Sequence, residues 1–303
     1  MFDPIIRISG LRKSYGQLEA VRGIDLDVAG GEVFAFLGPN GAGKTTTVEI
    51  LEGYRDRTAG EVSVLEEDPA RAGRSWRERI GIVLQQSRMH PELTVRETIE
   101  LFAGYYAEPR DVDETVGLVG LVEKADTRVL RLSGGQQRRL DVALALIGDP
   151  ELLFLDEPTT GFDPSARRQA WQVISGLRDL GKTVFLTTHY MDEAQVLADR
   201  AAIIVGGQIV AEGLPDRLGT EADTTEIRFQ LPDGVAPSAL PVDAESVEVE
   251  GSSFVTVRTG EPVRTLNLLT EWALSRNSDL AALSVGRPSL EDAYLELTED
   301  QAE

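Results

Sequence analysis

Residues 32–52, EVFAFLGPNGAGKTTTVEILE, contain the pattern that decides the fold. An apolar run is followed by a glycine-rich loop and then by residues with helical spacing, which predicts a strand, a loop and a helix. Residues 38–45 fit G-x-x-x-x-G-K-[ST], in which backbone N–H groups and a helix N-terminus converge on phosphate oxygens. In this pattern Lys44 neutralises the β- and γ-phosphates, and the Thr45 hydroxyl binds Mg²⁺. The stretch therefore predicts a phosphate-binding loop.

Further apolar runs predict that this strand belongs to a larger sheet. Helical patterns at 165–180 and 191–200 alternate with the later runs, which favours a mostly parallel sheet with helices on both faces, an α/β fold. Between 92 and 148 only helical patterns occur, so a helical insert, about 87–148, interrupts the core. The strand-like runs lie at 79–84, 151–158, 182–189 and 201–210.

The character of the sequence changes near residue 220. Two segments beyond it alternate like strands with one exposed face, and a third has helical spacing. We therefore predict a first domain over 1–220 and a small accessory α+β domain over 221–303. The predicted strands lie at 226–231 and 253–259, the predicted helix lies at 265–276, and a Gly-Arg-Pro turn leads to the segment 289–297.

Composition narrows the function classes. The chain has 303 residues, 42% of them hydrophobic and 27% charged, which is typical of globular proteins. It contains no cysteine, no signal-peptide pattern and no apolar run of the roughly 18–20 residues that cross a bilayer, so we expect an intracellular protein. The net charge of −21 argues against nucleic acid as a partner, because such proteins need basic patches.

Paired carboxylates follow a second apolar run. In LLFLDE (152–157), Asp156 and Glu157 come at the carboxyl end of a predicted buried strand, where parallel sheets bind ligands. Asp156 can hold Mg²⁺ and Glu157 can polarise an attacking water. A solvated acidic pair is the alternative, which the phosphate loop disfavours. His189 ends another predicted strand and is expected beside the same pocket, whereas His90 receives no role.

Three further features are weaker when taken alone. Gln85 and Gln86 follow the strand at 79–84, and either amide can join a metal's ligand shell. Tyr15 can offer a ring face to a base. In RLSGGQ (131–136), Ser133 at a helix start presents a hydroxyl and backbone N–H groups to an anion, with a plain helix cap as the alternative.

Together these motifs resemble those of ABC-type ATPases, the nucleotide-binding subunits of ATP-binding-cassette transporters. The matching stretches are GPNGAGKTT, the glutamine after IGIVL, LSGGQ, LLFLDEP, GFDP (161–164) and TTH (187–189), over about residues 4–220. The resemblance implies a P-loop NTPase core with a helical insert, and ATP and Mg²⁺ as cofactors. It implies that Glu157 is the general base and that His189 senses the γ-phosphate.

The same resemblance implies the remaining site residues. Gln85, rather than Gln86, would sense the metal and the water. The implied metal-site residues are Thr45, Gln85 and Asp156. The implied nucleotide-binding residues are Tyr15, which stacks on adenine, Gly38, Pro39, Asn40, Gly41, Ala42, Gly43, Lys44, Thr45, Thr46, Ser133, Gly134, Gly135 and Gln136, with Asp163 at the subunit contact.

In this family LSGGQ covers the γ-phosphate bound by a second subunit, so the resemblance implies a head-to-tail dimer that encloses two ATP. It also implies a separate membrane permease that docks on the helical insert and holds the chain at the cytoplasmic face of the membrane. Less specific sequence similarities outside the ATP-binding motifs favour exporters of the daunorubicin-resistance type over importers. The alternatives are a non-transport ABC ATPase acting on ribosomes or chromosomes, and an unrelated P-loop GTPase or kinase. A single cassette without a heptad run disfavours the first, and LSGGQ disfavours the second.

Overall fold

A computed structural model of the chain describes residues 4–84, 90–218, 225–232, 234–243, 247–250, 254–286 and 294. The chain forms two compact units, of which the first ends at Pro215 and the second begins at Asp216. The boundary that the sequence suggests, residue 220, lies outside the described residues. No helix in the described ranges is both long and apolar enough to cross a membrane.

The first unit alternates strands and helices along most of its length. Its strands are β1 (Ile6–Tyr15), β2 (Leu18–Val28), β3 (Val33–Leu37), β4 (Ala59–Val64), β5 (Ile80–Val83), β6 (Leu152–Asp156), β7 (Thr183–Thr188), β8 (Arg200–Val205) and β9 (Gln208–Gly213). Its α-helices are α1 (Lys44–Leu51), α2 (Arg74–Glu78), α3 (Val95–Ala103), α4 (Val112–Leu118), α5 (Gly134–Leu146), α6 (Pro164–Asp179) and α7 (Met191–Leu197).

The central sheet has the strand order β5-β6-β7-β3-β8-β9, and every neighbouring pair is parallel except β8 and β9. Strands β3 and β7 are buried along their whole length, as expected for a parallel sheet covered on both faces. The ring of Phe185 lies 5.6–5.8 Å from the rings of Phe34, Phe36 and Phe154, measured between centroids. The predicted α/β core is therefore confirmed.

A second, antiparallel sheet of order β2-β1-β4 was not predicted from the sequence. Its buried residues Ile6, Ile8 and Leu11 pack in one hydrophobic core with Phe34 and Phe154 of the central sheet. Register shifts between Ile8 and Leu11 break the simple alternation that marks a strand in a sequence. This sheet thus covers part of the central sheet, where only helices were expected.

The apolar run at 201–210 is a hairpin rather than the single strand predicted. Strand β8 turns at Gly206 and Gly207 into the antiparallel β9, and both glycines have positive φ, 54° and 83°. Two successive residues with positive φ make the tight turn that suits a two-residue hairpin. The turn also contacts the core of the unit, because the Gly207 N–H donates to the Ala42 carbonyl at 3.0 Å and its carbonyl accepts from the Arg22 N–H at 2.8 Å.

The insert contains helices α3, α4 and α5 and no strand between 92 and 148, as predicted. Helix α3 begins at a capping box in which Thr94 and Glu97 satisfy each other's backbone N–H groups. Helix α4 is shorter than the helical pattern at 111–122 suggests, since it ends at Leu118. Gly120, with φ 64°, supplies the left-handed residue that terminates it.

The second unit contains β10 (Thr225–Gln230), β11 (Val247–Glu250), β12 (Phe254–Thr259), α8 (Pro262–Ser275) and β13 (Ala281–Gly286). The strands form an antiparallel sheet of order β11-β12-β10-β13. Ile227 and Val257 of the sheet pack against Leu269 of α8 in a separate core. Strands β11 and β13 were not predicted, and the segment 289–297 lies outside the described residues except for residue 294.

Replacing Phe185 by alanine tests the aromatic core of the central sheet. Phe185 is 1% exposed, so Phe185→Ala should lower the free energy of unfolding by about 3–5 kcal/mol through lost burial and a residual cavity. Urea unfolding followed by tryptophan fluorescence measures this change. Leu180→Ala, at a 38% exposed position, is the control and should change it by less than about 0.5 kcal/mol. Equal losses in the two variants would contradict the assigned core.

Candidate active site

The glycine-rich loop runs from the end of β3 into α1 with a backbone that needs glycine at defined points. Gly43 has φ 108°, and a Cβ added there would lie 2.6 Å from the Ala20 carbonyl oxygen. A Cβ on Gly38 would lie 2.3 Å from the Ile204 carbonyl oxygen. The neighbouring strands β2 and β8 therefore press against the loop, and only glycine fits at these two positions.

Lys44, the first residue of α1, is 6% exposed and folds back over the loop. Its Nζ donates to the carbonyls of Gly38, at 2.7 Å, and Pro39, at 3.2 Å. Burial lowers the pKa of Lys44, whereas the nearby carboxylates Glu157 and Asp156 raise it. The cation is thus already desolvated and can exchange the loop carbonyls for an anion.

Asp156 and Glu157 lie at the carboxyl end of β6, beside the end of β7. The Thr187 Oγ1 donates to Asp156 Oδ1 at 2.5 Å, and the Glu157 N–H donates to both the carbonyl and the Oγ1 of Thr187 at 3.1 Å. Glu157 has φ 45°, in the left-handed region that side chains other than glycine rarely adopt. Thr187, which the sequence did not single out, therefore holds both acidic residues.

The Glu157 carboxylate is oriented by two side chains. His189 Nδ1 lies 3.3 Å from Glu157 Oε1, and Thr160 Oγ1 donates to Oε2 at 3.1 Å. The His189 ring packs on Tyr190, with 4.1 Å between the ring centroids. The structure thus brings His189 and Glu157 into contact.

A cavity of about 500 Å³ joins the glycine-rich loop to the acidic pair. Its apolar wall contains Tyr15, with the cationic groups of Lys13 and Arg55 5.1 and 5.4 Å from its ring centroid. The lining combines one flat aromatic side chain, backbone N–H donors, one buried cation and carboxylates, as a nucleoside triphosphate with a divalent cation requires. The described lining residues are Tyr15, Leu18, Ala20, Asn40, Gly41, Gly43, Lys44, Thr45, Thr46, Asp156 and Glu157.

The LSGGQ segment forms the N-terminus of α5 and contributes none of the described residues that line this cavity. Ser133 and Gln136 form a capping box: Ser133 Oγ accepts from the Gln136 N–H at 3.3 Å, and Gln136 Oε1 accepts from the Ser133 N–H at 2.9 Å. The N–H groups of Gly134 and Gly135 have no acceptor among the described residues. The segment is therefore a helix cap that also presents free donors away from the chain's own cavity.

The remaining predicted site residues are Asp163, at the predicted subunit contact, and Gln85 or Gln86, at the predicted metal site. Asp163 caps α6, and its Oδ1 accepts from the N–H groups of Ser165 and Ala166 at 2.8 and 3.0 Å, bonds that lower its pKa. Gln85 and Gln86 lie outside the described residues, so their predicted metal contact stays a prediction.

Sequence reasoning also missed two buried charged side chains near the site. Arg138 is 8% exposed and reaches the carbonyl of Asp156. Glu193 of α7 is fully buried, and its Oε1 accepts from Thr159 Oγ1 at 2.9 Å and from Trp171 Nε1 at 3.1 Å. One sequence signal could have identified Arg138 as inward-facing: it lies four residues before the buried Val142 on the same helix.

A second cavity, of about 460 Å³, lies in the first unit between the sheet and the helical insert. Glu52, at the end of α1, is 7% exposed, and no hydrogen bond or ion pair reaches its carboxylate in the described part of the chain. Burial raises the pKa of Glu52 to about 8, with contributions from Asp156 and Glu49. The described lining residues are Glu52, Gly53, Tyr54, Arg77, Ile80, Ile82, Phe102, Tyr106, Leu144 and Ala145.

A parallel sheet with a phosphate loop and an acidic pair at one edge defines the chain as a P-loop nucleotide-binding protein. Comparisons with known proteins narrow this class. A family model described as ABC transporter matches residues 21–160, and one described as ABC transporter domain-containing protein-like, C-terminal domain, matches residues 225–289.

Similar proteins cover almost the whole chain. It is 40% identical over 307 residues, 98% of each chain, to the Nod factor export ATP-binding protein I of Paraburkholderia xenovorans (strain LB400). It is 36% identical to the daunorubicin resistance ATP-binding protein DrrA3 of Streptomyces coeruleorubidus, over 99% of this chain and 98% of the relative. The dimeric, ADP- and Pi-bound ATP-binding cassette MJ0796 has a similar fold (TM-score 0.61, 27% identity, 69% of this chain and 98% of that one). The chain therefore belongs to the ABC transporter family, as a subunit that binds and hydrolyses ATP.

The raised pKa of Glu52 makes stability depend on pH. Below about pH 4.5 the carboxyl is protonated in both folded and unfolded chains. As the pH rises towards 8, the unfolded chain loses this proton and the folded chain keeps it, so the wild type loses stability. Glu52→Gln should avoid this loss, and its advantage should grow across that window to a few kcal/mol, at about 1.4 kcal/mol per pKa unit.

Urea unfolding at pH 5 and pH 8.5 measures the effect. The control is Glu61→Gln, at an exposed position of β4, which should not change the pH dependence. An advantage of Glu52→Gln that is the same at both pH values would contradict the buried, protonated carboxyl.

Proposed function

We propose that this chain is the ATPase subunit of an exporter. In this proposal it binds Mg²⁺ and ATP in the cavity beside the phosphate loop, pairs head to tail with a second copy, and drives a separate membrane permease. The observation that carries the proposal is that Lys44 and the acidic residues Asp156 and Glu157 line one cavity of about 500 Å³, a volume suited to a nucleotide.

Lys44 is the residue proposed to bind the β- and γ-phosphates. Its ammonium now lies 2.7 Å from the Gly38 carbonyl, so a phosphate oxygen can replace that acceptor without moving the cation into a new environment. The N–H groups of the loop and of the first turn of α1 add further donors. Tyr15, on the apolar wall, is the proposed platform for the adenine ring.

The metal ion is proposed to arrive with ATP. Thr45 and Asp156 offer a hydroxyl and a carboxylate oxygen to the same cavity, the hard ligands that Mg²⁺ prefers, and Gln85 is proposed as a third contact. No cluster of three or more His, Cys, Asp or Glu ligands occurs among the described residues, which agrees with an ion held partly by phosphates. When bound, Mg²⁺ would neutralise charge on the phosphate oxygens.

Glu157 is proposed as the general base. Its carboxylate takes a proton from water as the water oxygen attacks the γ-phosphorus, and the electrons of the broken P–O bond leave on the β-phosphate of ADP. The contacts with His189 and Thr160 hold the carboxylate in one orientation. His189, 36% exposed at its side chain, is also proposed to contact the γ-phosphate.

The second copy is proposed to complete each site. Ser133 and Gly134 are exposed and lie outside the chain's own cavity, and the free N–H groups of Gly134 and Gly135 suit an anion brought by another subunit. The similar cassette MJ0796 is dimeric in its ADP- and Pi-bound structure, which supports such an arrangement. Asp163 is proposed to lie at the same subunit contact.

Export through a permease is supported by the relatives. One relative is named for Nod factor export and another for daunorubicin resistance. The similarity to this chain extends over 98% of the length of each relative. We propose that the exported molecule is drug-like or a small hydrophobic compound. The cavity that contains Glu52 and Phe102, open between the sheet and the insert, is the proposed docking groove, and docking would hold the chain at the cytoplasmic face of the membrane.

Glu157→Gln tests the catalytic proposal. An amide cannot accept the proton, so turnover should fall by about 10²–10⁴-fold while the affinity for ATP stays within a few-fold of wild type. A phosphate-release assay and binding of a fluorescent ATP analogue measure the two quantities. The control is Glu151→Gln, just before β6, which removes an exposed ion pair with Arg79 and should leave turnover unchanged. Hydrolysis by Glu157→Gln at the wild-type rate would rule out the role.

Affinity purification tests the permease. Tagged Glu157→Gln protein, recovered from solubilised host membranes with ATP and Mg²⁺, should bring down a polytopic membrane protein in about equal amount. Adding Phe102→Asp, in the groove, should release that protein without loss of ATP binding. Leu101→Asp, at a 42% exposed position of the same helix that does not line the groove, is the control. Recovery of ribosomes, or of the tagged chain alone, would contradict the transport proposal.

A further inference from the structure

The buried guanidinium of Arg138, near the start of α5, joins two separate stretches of the main chain. Its Nε donates to the Pro158 carbonyl at 3.2 Å, and its Nη2 donates to the Asp156 carbonyl at 2.6 Å. Its Nη1 donates to the carbonyl of Leu84, which immediately precedes Gln85. One side chain of the insert thus holds the ends of both β5 and β6.

These contacts fix main chain rather than neutralise charge. The carboxylate of Asp141 faces the guanidinium at 3.8 Å from Nη1, beyond hydrogen-bond distance, and the closer partners are backbone carbonyls. A guanidinium offers five donors in a rigid planar fork, so it can bind several carbonyls at once in a way that lysine or glutamine cannot. The geometry of this side chain therefore sets where α5 lies against the two strand ends.

The elements joined in this way serve two different nucleotide sites in the proposed dimer. The end of β6 carries Asp156 and Glu157, which belong to the chain's own ATP site. The first turn of α5 carries Ser133 and Gly134, which face the ATP of the second copy. Arg138 lies on the next turn of the same rigid helix, so a shift of its carbonyl partners moves that helix as well.

We propose that Arg138 is a positioning residue that couples the two ATP sites, because it locks the signature segment offered to the partner copy to the acidic pair of its own chain. The inference rests on the proposed head-to-tail dimer. It implies that loss of Arg138 slows hydrolysis both in the site of its own chain and in the site of the partner, although it contacts neither nucleotide.

The neighbouring Arg139 provides a matched control. It has the same charge and sits in the same helix, but its Nη1 donates to the carbonyls of Val119 and Gly120, at 3.3 and 2.9 Å, both within the insert. None of its hydrogen bonds in the described part of the chain reaches β5 or β6, so Arg139→Gln should change local packing without affecting the coupling.

Mixing full-length chains separates the two effects. A limiting amount of wild-type chain is titrated to a plateau with excess Glu157→Gln chain, so that each wild-type chain pairs with one that cannot hydrolyse ATP. In the trans arrangement, the excess chain also carries Arg138→Gln and contributes only its signature segment to the active site. In the cis arrangement, the limiting chain carries Arg138→Gln and the excess chain is Glu157→Gln alone.

Both arrangements should lower the plateau rate per limiting chain by about tenfold to a hundredfold, the effect of small displacements of catalytic groups. Arg139→Gln should leave both plateaus unchanged. If either arrangement with Arg138→Gln keeps the control rate, the coupling role is wrong, because a side chain with a merely local structural role affects only the site it supports. Binding of the fluorescent ATP analogue verifies that each variant is folded.

Two more variants distinguish failure of the coupling from failure of the proposed dimer and from misfolding of Arg138→Gln. Gly134→Asp has open space for its side chain and is favourable at a helix N-terminus, yet it places a negative charge against the partner's γ-phosphate. In the trans arrangement it should abolish turnover; if it does not, the head-to-tail dimer itself is wrong and the coupling fails with it. If Arg138→Gln does not fold, Arg138→Lys replaces it and should give a smaller loss in both arrangements, whereas no loss would overturn the proposal.

Discussion

Parallel pairing of β6, β7 and β3 is the constraint on which the rest of the structure depends. Because parallel strands end at the same edge, it brings the glycine-rich loop after β3 and the acidic pair after β6 to one cavity. β7 lies between them, and its Thr187 binds the carboxylate of Asp156 and the N–H of Glu157. This contact holds the strained backbone of Glu157, so a residue of the sheet core fixes the main chain that carries this carboxylate.

Local sequence patterns were sufficient where function requires a short stretch of defined chemistry. The loop that ends in Gly43 and Lys44, and the acidic pair after an apolar run, could be placed at the carboxyl ends of strands because both patterns are complete within ten residues. The antiparallel sheet β2-β1-β4 was missed although β2 alternates, since the register shifts in β1 interrupt the alternation of its partner strand. The turn at Gly206 and Gly207 was missed because an apolar run on both sides hid the reversal.

Burial of charge could not be predicted in the same way. Arg138, Glu193 and Glu52 are all less than 9% exposed. The residues that pack over each of them belong to elements far away in the sequence. Arg138 is satisfied by carbonyls 18 to 54 residues away, and one carboxylate oxygen of Glu193 accepts from Thr159 and Trp171. A sequence shows that such residues are charged, but only the packed fold shows which main-chain groups they hold.

The hairpin turn at Gly206 and Gly207 also has a consequence for protein engineering. Short glycine turns between antiparallel strands are usually tolerant places to insert a tag or to open new chain termini. Here the turn is bonded to Ala42 of the glycine-rich loop and to Arg22, and a Cβ on Gly207 would lie 2.8 Å from the Ala20 carbonyl oxygen. A labelling site or a circular permutation at this turn would disturb the glycine-rich loop, although the two lie more than 160 residues apart in the chain.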